Sequence, residues 1–323
     1  MTGPHHEADL VHRASYPVLG RMLEVRTNDR RILALAESAF GHWRALAPGL
    51  IEERQAARID IRVSGDDVRP DDASAFGVYR HSWTGDQFRT RAEDVEADSD
   101  LAVGIGAVRI GARAIQDGEG LIHHILDAHA LQLLTRAGRE PLHAAAVSRG
   151  GSAILIAGPS EEGKSTLCYA LLRRGWRLIA DDATFLDLGA GRVWGHAAAV
   201  RLLPDSDQIF PELAGIPARR LPNGKVKREV RVEAPALTGA PIGLVVLGGP
   251  RDAVPRLEPI PAREAIAFMF ANVSPGFDRY PGAKLAVEDM ARAWATVRFT
   301  PSPDPAASAA RIEAWAAGLG VRA

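Results

Sequence analysis

The hydrophobic pattern divides the chain into an irregular first part and a second part in which short apolar strands alternate with helices. In the first part, apolar residues at helical spacing predict a helix over residues 31–46, and alternating apolar and charged residues predict a half-buried strand over residues 57–63. Further short strands are predicted over residues 77–81 and 101–105, and a second amphipathic helix over residues 120–137. This mixture predicts a small α+β domain.

The second part has the pattern of an α/β domain. The run AILIA at residues 153–157 is apolar and short, which is typical of a strand buried on both faces. The other predicted strands are residues 142–148, 176–180 and 243–247, and the predicted helices are residues 165–174, 263–272 and 305–319. The predicted fold class is therefore α/β.

Three histidines lie in the helix predicted over residues 120–137. His124 and His129 are five residues apart, so they point in different directions on a helix and do not form a metal-binding pair. We interpret His123, His124 and His129 as residues of the polar face.

The strongest motif is a glycine-rich turn between a buried strand and a helix. The sequence GPSEEGKST matches G-x-x-x-x-G-K-[ST] without a gap, in the strand–turn–helix setting that a phosphate-binding loop (P-loop) requires. Backbone N–H groups and the positive end of the helix dipole would surround the phosphates of ATP. Lys164 is expected to reach the β- and γ-phosphates, and the Ser165 hydroxyl to bind Mg²⁺. The predicted nucleotide-binding residues are Gly158, Ser160, Gly163, Lys164, Ser165 and Thr166.

Two carboxylates within this loop are unusual for a site that holds a triphosphate. Glu161 and Glu162 are expected to weaken nucleotide binding unless both side chains point to solvent. The alternative is that they organise the site.

Two aspartates follow the strand predicted over residues 176–180. Open α/β sheets place their ligands at this carboxyl end. Because neighbouring side chains on an extended chain point in opposite directions, Asp181 and Asp182 cannot share one role. One can lie near the Mg²⁺ that Ser165 holds, and the other can face an incoming hydroxyl. Solvated turn residues are the alternative.

Composition limits the classes of protein that the chain can represent. The 39 Lys and Arg residues nearly balance the 40 Asp and Glu residues, which argues against a nucleic-acid-coating protein. The single cysteine, Cys168, rules out an internal disulfide framework and favours a reducing compartment. The sequence shows neither a signal peptide nor an apolar run of membrane-spanning length, so a cytoplasmic protein without membrane partners is predicted.

About 45 residues around the P-loop resemble the catalytic core of the HPr kinase/phosphorylase family. The stretch LHAAAVSRGGSAILIAGPSEEGKSTLCYALLRRGWRLIADDATFLD combines a Leu-His strand, the P-loop, an Arg-Gly-Trp-Arg helix end and an Ala-Asp-Asp strand end. Within this superfamily, the length and the LHAAAV segment resemble the HPr-kinase-related serine kinases linked to lasso-peptide and other peptide-modification clusters. The resemblance implies a P-loop kinase core of the HPr kinase type.

The resemblance also implies roles for individual residues. Lys164 would contact the transferred phosphoryl group, and Asp182 would accept the proton of a substrate serine with the assistance of His143. Ser165 would bind Mg²⁺, and Asp181 would either bind the metal as well or hold another of its ligands in place. The family's Leu-Glu-Ile-Arg-Gly stretch corresponds here to residues 199–202, which contain no Glu, so a kinase without the phosphorylase reaction is expected.

A basic segment over residues 219–231 surrounds a Pro-Asn-Gly turn. Such charge runs are usually solvated hairpins. The functional alternative is a mobile phosphate clamp in which Lys225, Lys227 and Arg228 neutralise charge on the phosphoryl oxygens. The segment lacks the interleaved aromatic residues of a nucleic-acid-binding arm.

These observations predict an Mg-ATP-dependent kinase that acts on a serine-type hydroxyl of a peptide or small protein. Residues 1–120 form the predicted N-terminal α+β domain, a candidate for acceptor binding, and residues 121–323 form the catalytic domain. The alternatives are an HPr-type bifunctional kinase/phosphorylase and a nucleotide-binding module without transfer activity. No nucleic-acid partner is expected, and a homo-oligomer is left open.

Overall fold

The computed structural model describes residues 10–65, 68, 77–159, 162–196, 199–221, 224–249, 252–271 and 287–321. It divides into two units, Met1–Gly138 and Arg139–Ala323. Both units combine helices with sheets that contain parallel and antiparallel strands, so the fold is mixed α/β.

A seven-stranded sheet forms most of the first unit. Its strands are β1 (His12–Val18), β2 (Arg21–Thr27), β3 (Glu52–Ser64), β4 (Arg80–Thr84), β5 (Gln87–Ala92), β6 (Val95–Asp100) and β7 (Ile105–Gly111). Their order is β1-β2-β3-β7-β6-β5-β4, and β3 runs parallel to both of its neighbours. The α-helices are α1 (Arg30–Phe40), α2 (Gly118–Gly120) and α3 (Ala128–Arg136), with a π-helical stretch (Leu121–Asp127) between α2 and α3.

The predicted helix and strand of this unit form for the expected physical reasons. Helix α1 begins where the Asp29 carboxylate accepts a hydrogen bond from the Arg31 backbone N–H at 2.8 Å, and it buries an apolar face that includes Ile32 and Phe40. The alternating half of β3 lies at residues 57–63 as predicted. The strand predicted over residues 101–105 is wrong, because residues 101–104 turn the chain between β6 and β7.

The boundary between the two units lies after Gly138 rather than after residue 120. Helix α3 packs against β3, β6 and β7 and thereby belongs to the first unit. The periodicity of its sequence indicated a helix but contained no information about which sheet it covers.

A buried histidine network joins the π-helical stretch and α3 to the first sheet. The ring of His129 is fully buried, with one nitrogen 2.9 Å from the Thr90 hydroxyl and the other 2.7 Å from the Ser99 hydroxyl. His81 lies 2.9 Å from the same threonine and 3.1 Å from His124. The placement of the helix histidines on a polar face was therefore wrong for His129, which is buried, whereas His124 is half-buried and His123 is exposed.

The same burial makes these rings resist protonation. Loss of hydration lowers the pKa of His81 and His124 to about 4 and that of His129 to about 3. The positive charges of His123 and Arg91 add to this effect, and the Asp117 carboxylate opposes it at His124.

We therefore expect the protein to lose stability in mild acid. Between pH 6.5 and 4.5 the unfolded chain binds more protons than the folded one, so each buried histidine lowers the free energy of unfolding by up to about 1.4 kcal/mol per pH unit as pH falls. Urea unfolding of the full chain at several pH values measures this slope. His124→Gln should make it shallower, whereas a slope equal to that of the unchanged protein would contradict the assignment.

The second unit is built on a nine-stranded sheet and a small three-stranded sheet. Its strands are β8 (Glu140–His143), β9 (Ala145–Arg149), β10 (Ser152–Ala157), β11 (Arg177–Ala180), β12 (Ala183–Asp187), β13 (Arg192–Gly195), β14 (Ala199–Leu202), β15 (Ala218–Arg220), β16 (Val226–Arg231), β17 (Thr238–Leu247), β18 (Arg256–Pro259) and β19 (Ala295–Thr300). Its α-helices include α4 (Lys164–Leu172), α5 (Ala262–Ala271) and α6 (Pro305–Gly318).

The large sheet has the order β11-β9-β10-β17-β13-β12-β8, and β19 joins it by pairing with β17 and β18. Its parallel pairs are β10 with β17 and β17 with β19. The small sheet has the order β14-β16-β15.

Strand β10 lies between two hydrophobic layers, as the apolar run at residues 153–157 predicted. Ile154 and Ile156 point toward the layer that contains α4 and α6. Ala153, Leu155 and Ala157 point toward the opposite layer, which contains α5. The helices on both faces hold the P-loop strand at the centre of the unit.

The strand predicted over residues 142–148 is interrupted at Ala144. Strand β8 pairs with β12, whereas β9 pairs with β10 and β11. At this interruption, the buried Thr184 hydroxyl donates a hydrogen bond to the Ala144 carbonyl at 2.7 Å, so the carbonyl has a partner outside the strand ladder. His143 therefore lies at a strand end rather than within a strand.

None of the described helices has the length and apolarity that crossing a bilayer needs.

Candidate functional site

The P-loop connects β10 to α4, and two of its glycines have positive φ angles. Gly158 has a φ of 151°, and a Cβ atom there would lie 2.9 Å from the Cβ of Leu247. Gly163 has a φ of 101° and precedes the first residue of α4. Both positions therefore require glycine. Ser160 and Glu161 lie outside the described residues, and Glu162 is exposed.

Lys164 points back over this loop. Its ammonium donates hydrogen bonds to the carbonyls of Gly158 at 2.9 Å and Pro159 at 3.0 Å, and it lies 3.5 Å from His143 Nε2. Burial lowers the pKa of this ammonium, while the carboxylates of Asp182 and Asp181 oppose the change. A phosphate in the loop would offer the ammonium an anionic partner in place of neutral carbonyls.

The sheet register brings His143 beside the aspartate pair. Ala183, the first residue of β12, pairs with His143 at the end of β8, so Asp182 adjoins the histidine. The distance from His143 Nδ1 to Asp182 Oδ1 is 3.6 Å, and 62% of the Asp182 side chain is exposed. Burial lowers the pKa of His143, with the Asp182 carboxylate opposing the change and the Lys164 ammonium adding to it, and this favours the neutral ring.

Asp181 points in the opposite direction, into the protein, and is only 6% exposed. One oxygen accepts a hydrogen bond from the Arg201 backbone N–H at 2.9 Å, and the nearby Ser165 side chain also acts to lower the pKa of the carboxyl group. Its Oδ1 is buried and lacks a hydrogen-bond partner within the described part of the chain. Burial raises the pKa of Asp181 to about 6.

These contacts fit an oxygen-bound divalent cation. Mg²⁺ prefers hard oxygen ligands and is usually held by one or two protein groups together with phosphate and water. Ser165 and the orphaned oxygen of Asp181 provide such groups. Among the described residues there is no cluster of three or more His, Cys, Asp or Glu that could hold a metal independently.

All these side chains line one open cleft with a volume of about 320 Å³. The lining residues are His143, Gly163, Lys164, Ser165, Thr166, Asp181, Asp182, Arg201, Leu202, Leu203, Asp205, Ser206, Ile209, Leu221, Lys225 and Lys227. The volume is at the lower end of the range for small-molecule sites.

The basic segment supplies two lysines to this cleft but not its third predicted clamp residue. Lys225 and Lys227 line the cleft, and the charge of Lys225 contributes to lowering the pKa of His143 and of Lys164. Arg228 points into the protein and is only 6% exposed. The clamp prediction does not fit Arg228, because alternation along β16 turns this side chain away from its lysine neighbour.

The buried guanidinium of Arg228 instead holds the chain that follows β14. It donates hydrogen bonds to the carbonyls of Pro204 at 2.7 Å and Leu213 at 2.8 Å, and also to that of Ile216. It pairs with the Asp207 carboxylate at 2.9 Å.

We expect Arg228→Met to destabilise the protein by about 3–5 kcal/mol. The substitution leaves the Asp207 carboxylate and several buried carbonyls without a hydrogen-bond donor. Urea unfolding of the full chain measures the change. Arg231→Met on the same strand, where the side chain is exposed, serves as the control and should change stability by less than about 0.5 kcal/mol. Equal effects of the two substitutions would contradict the anchoring role.

Several cleft residues gave no signal in the sequence. Arg201 holds Asp181 through its backbone, a contact that no side-chain motif encodes. Leu203 and Ile209 reach the cleft from an irregular segment without periodicity. Their exposure in the folded chain distinguishes them from ordinary core residues.

Comparison with solved structures shows a slight structural likeness. No protein-family model and no curated protein matches the chain. Among solved structures, the Hpr(Ser) kinase/phosphatase from Coxiella burnetii aligns with a TM-score of 0.29 and 14% sequence identity. The alignment covers 55% of this chain and 98% of that one. Such a likeness is too slight to assign residues, so the functional conclusion depends on the chemistry of the cleft.

Proposed function

We propose that this protein is an Mg-ATP-dependent kinase that transfers a phosphoryl group to a serine-type hydroxyl of a peptide or small protein. The observation that carries the proposal is the convergence of two sets of groups in one cleft. Lys164 and the Ser165–Asp181 pair belong to a phosphate- and metal-binding end, and the exposed Asp182 carboxylate lies beside His143.

The nucleotide end would use groups that are already in place. The backbone N–H groups at the start of α4 and the Lys164 ammonium would hold the phosphates of ATP. Bound through Ser165 and Asp181, Mg²⁺ would neutralise charge on the phosphate oxygens. Lys225, one of the two predicted clamp lysines that line the cleft, would approach the same phosphates, since its charge already acts on Lys164.

The acceptor end would use the exposed carboxylate. Asp182 would orient the acceptor hydroxyl and take its proton as the oxygen bonds to the γ-phosphorus, while the bond from that phosphorus to the β–γ bridging oxygen breaks and ADP leaves. The neutral His143 ring would hold Asp182 in place from 3.6 Å. This route needs no water, so exclusion of water from the cleft would favour transfer over hydrolysis.

Labelled ATP separates the proposed kinase from the two alternatives. Incubation with Mg²⁺ and serine-containing peptides should give labelled peptide, and Lys164→Met should abolish it. Nucleotide binding without transfer to any acceptor would favour a binding module instead. Diphosphate release from a phosphorylated peptide on addition of inorganic phosphate would favour the bifunctional kinase/phosphorylase, because phosphorolysis produces diphosphate.

A further inference from the structure

The small β14-β16-β15 sheet has one face that is rich in positive charge. Its register pairs Arg201 with Glu229 and Arg219 with Lys227, and directly paired residues share a face. Glu229 lies 3.6 Å from Arg201 and 3.2 Å from Arg219, so a single carboxylate is shared by both guanidinium groups. Lys227 has no hydrogen-bond or ion-pair partner within the described ranges. This outer face therefore has a net positive charge.

An apolar patch adjoins this face within the cleft. Leu203 is 41% exposed and Ile209 is 39% exposed, so both present apolar surface to solvent. Both line the cleft together with Asp182, Arg201 and Lys227. Apolar and cationic groups therefore extend from the reacting carboxylate along one continuous surface.

The surface is held in position before any ligand arrives. Arg228, on the inner face of the small sheet, bonds to the carbonyls of Pro204 and Leu213, which flank Ile209 in the chain. A preformed surface loses less conformational entropy on binding than a mobile loop does.

The geometry of phosphoryl transfer determines which part of an acceptor can contact this surface, because the attacking oxygen, the γ-phosphorus and the leaving oxygen lie in line. The acceptor hydroxyl must reach Asp182 on the side away from the leaving ADP, so the residues that flank this hydroxyl lie against the rest of the cleft. Carboxylates complement Arg201, Arg219 and Lys227, and an apolar side chain complements Leu203 and Ile209.

We propose that the small sheet is the acceptor-docking surface and that it selects an acidic peptide segment with an apolar residue beside the phosphorylated hydroxyl. This inference depends on the proposed kinase function. The carboxylates of the segment pair with the cationic face, and its apolar residue packs on Leu203 and Ile209.

Matched peptides test the charge preference in both binding and transfer. Fluorescent peptides with a central serine next to leucine carry Glu, Gln or Lys at the flanking positions, and their affinity is measured by anisotropy alongside labelled phosphoryl transfer. We expect the Glu peptide to bind at least ~10-fold more tightly than the Lys peptide at low salt, with the difference shrinking as ionic strength rises. Equal affinities, or a preference for the Lys peptide, would overturn the inference.

Two adjacent arginines on β15 provide a matched pair of variants. Arg219→Glu reverses a charge on the docking face, whereas Arg220→Glu makes the same change on the other face, where the register pairs Arg220 with Val226. We expect only Arg219→Glu to reduce the preference for the Glu peptide. Loss of the preference in both variants, or in neither, would contradict the assignment of the face.

The apolar contact is tested in the same way. Ile209→Ser should weaken binding of the leucine-containing peptide more than that of its alanine counterpart, whereas Val254→Ser, at a residue that is 66% exposed outside the cleft, should affect both equally. Equal weakening by Ile209→Ser would overturn the apolar part. Selective binding of the Glu peptide without transfer to any peptide would support the docking surface and refute the kinase function.

Discussion

Asp182→Asn should lower the rate of phosphoryl transfer by about 10²–10⁴-fold and leave ATP affinity nearly unchanged. The substitution keeps the shape of the side chain but removes the group that takes the acceptor proton. Because 62% of the Asp182 side chain is exposed and it lies beside His143 at the surface of the cleft, the fold should be unaffected. Single-turnover transfer and calorimetric titration of ATP measure the two effects separately.

Comparison with Lys164→Met separates the proton-accepting role of Asp182 from a role in nucleotide binding. Lys164→Met should weaken ATP binding as well as transfer, since its ammonium lies over the phosphate loop. If Asp182→Asn weakened ATP binding as much as Lys164→Met, Asp182 would belong to the nucleotide site and the assignment of the proton acceptor would be wrong.

Asp181→Asn should make the metal-free protein more stable at pH 7.5. Burial raises the pKa of Asp181 from 3.8 to about 6, so the folded chain binds more protons than the unfolded chain between these values, and stability falls as pH rises through this window. Above pH 6 the ionised carboxylate costs up to about 3 kcal/mol, which an uncharged amide would not. The gain should shrink to a small fraction of this value at pH 4, where the folded carboxyl group is neutral and the unfolded one is partly protonated.

The same substitution should remove the response to Mg²⁺. Binding of Mg²⁺ with ATP stabilises the folded state by mass action, and the unchanged protein should gain stability from this pair whereas Asp181→Asn should gain much less. Urea unfolding at pH 4 and 7.5, with and without Mg-ATP, measures both predictions. An Asn variant that is less stable than the unchanged protein at pH 7.5 would mean that the carboxylate is stabilising, and the metal role would lose its support.

The incorrect predictions in the first unit share a physical cause, which is that polar residues occupy buried positions there. Strands β1, β2, β5 and β6 were not predicted, although the helix at α1 and the alternating part of β3 were. Strand β6, with the sequence VEADSD, buries Val95, Ala97 and the polar Ser99 on one face, so its apolar alternation is too weak to indicate a strand. His129 was misplaced because it is itself a buried polar residue, which bonds to the hydroxyls of Thr90 on β5 and Ser99 on β6.

The local part of the candidate site follows from the sequence itself. A buried strand, two glycines and a helix start are contiguous, so the P-loop requires only short-range geometry, and adjacent residues such as Asp181 and Asp182 must point apart on an extended chain. Tertiary structure alone decided the contacts between distant segments. Strand register brought His143 to Asp182, the backbone of Arg201 fixed Asp181, and strand alternation turned Arg228 inward while Lys227 faced the cleft. Such contacts depend on which strands pair and in which register, and neighbouring residues in the chain do not encode that choice.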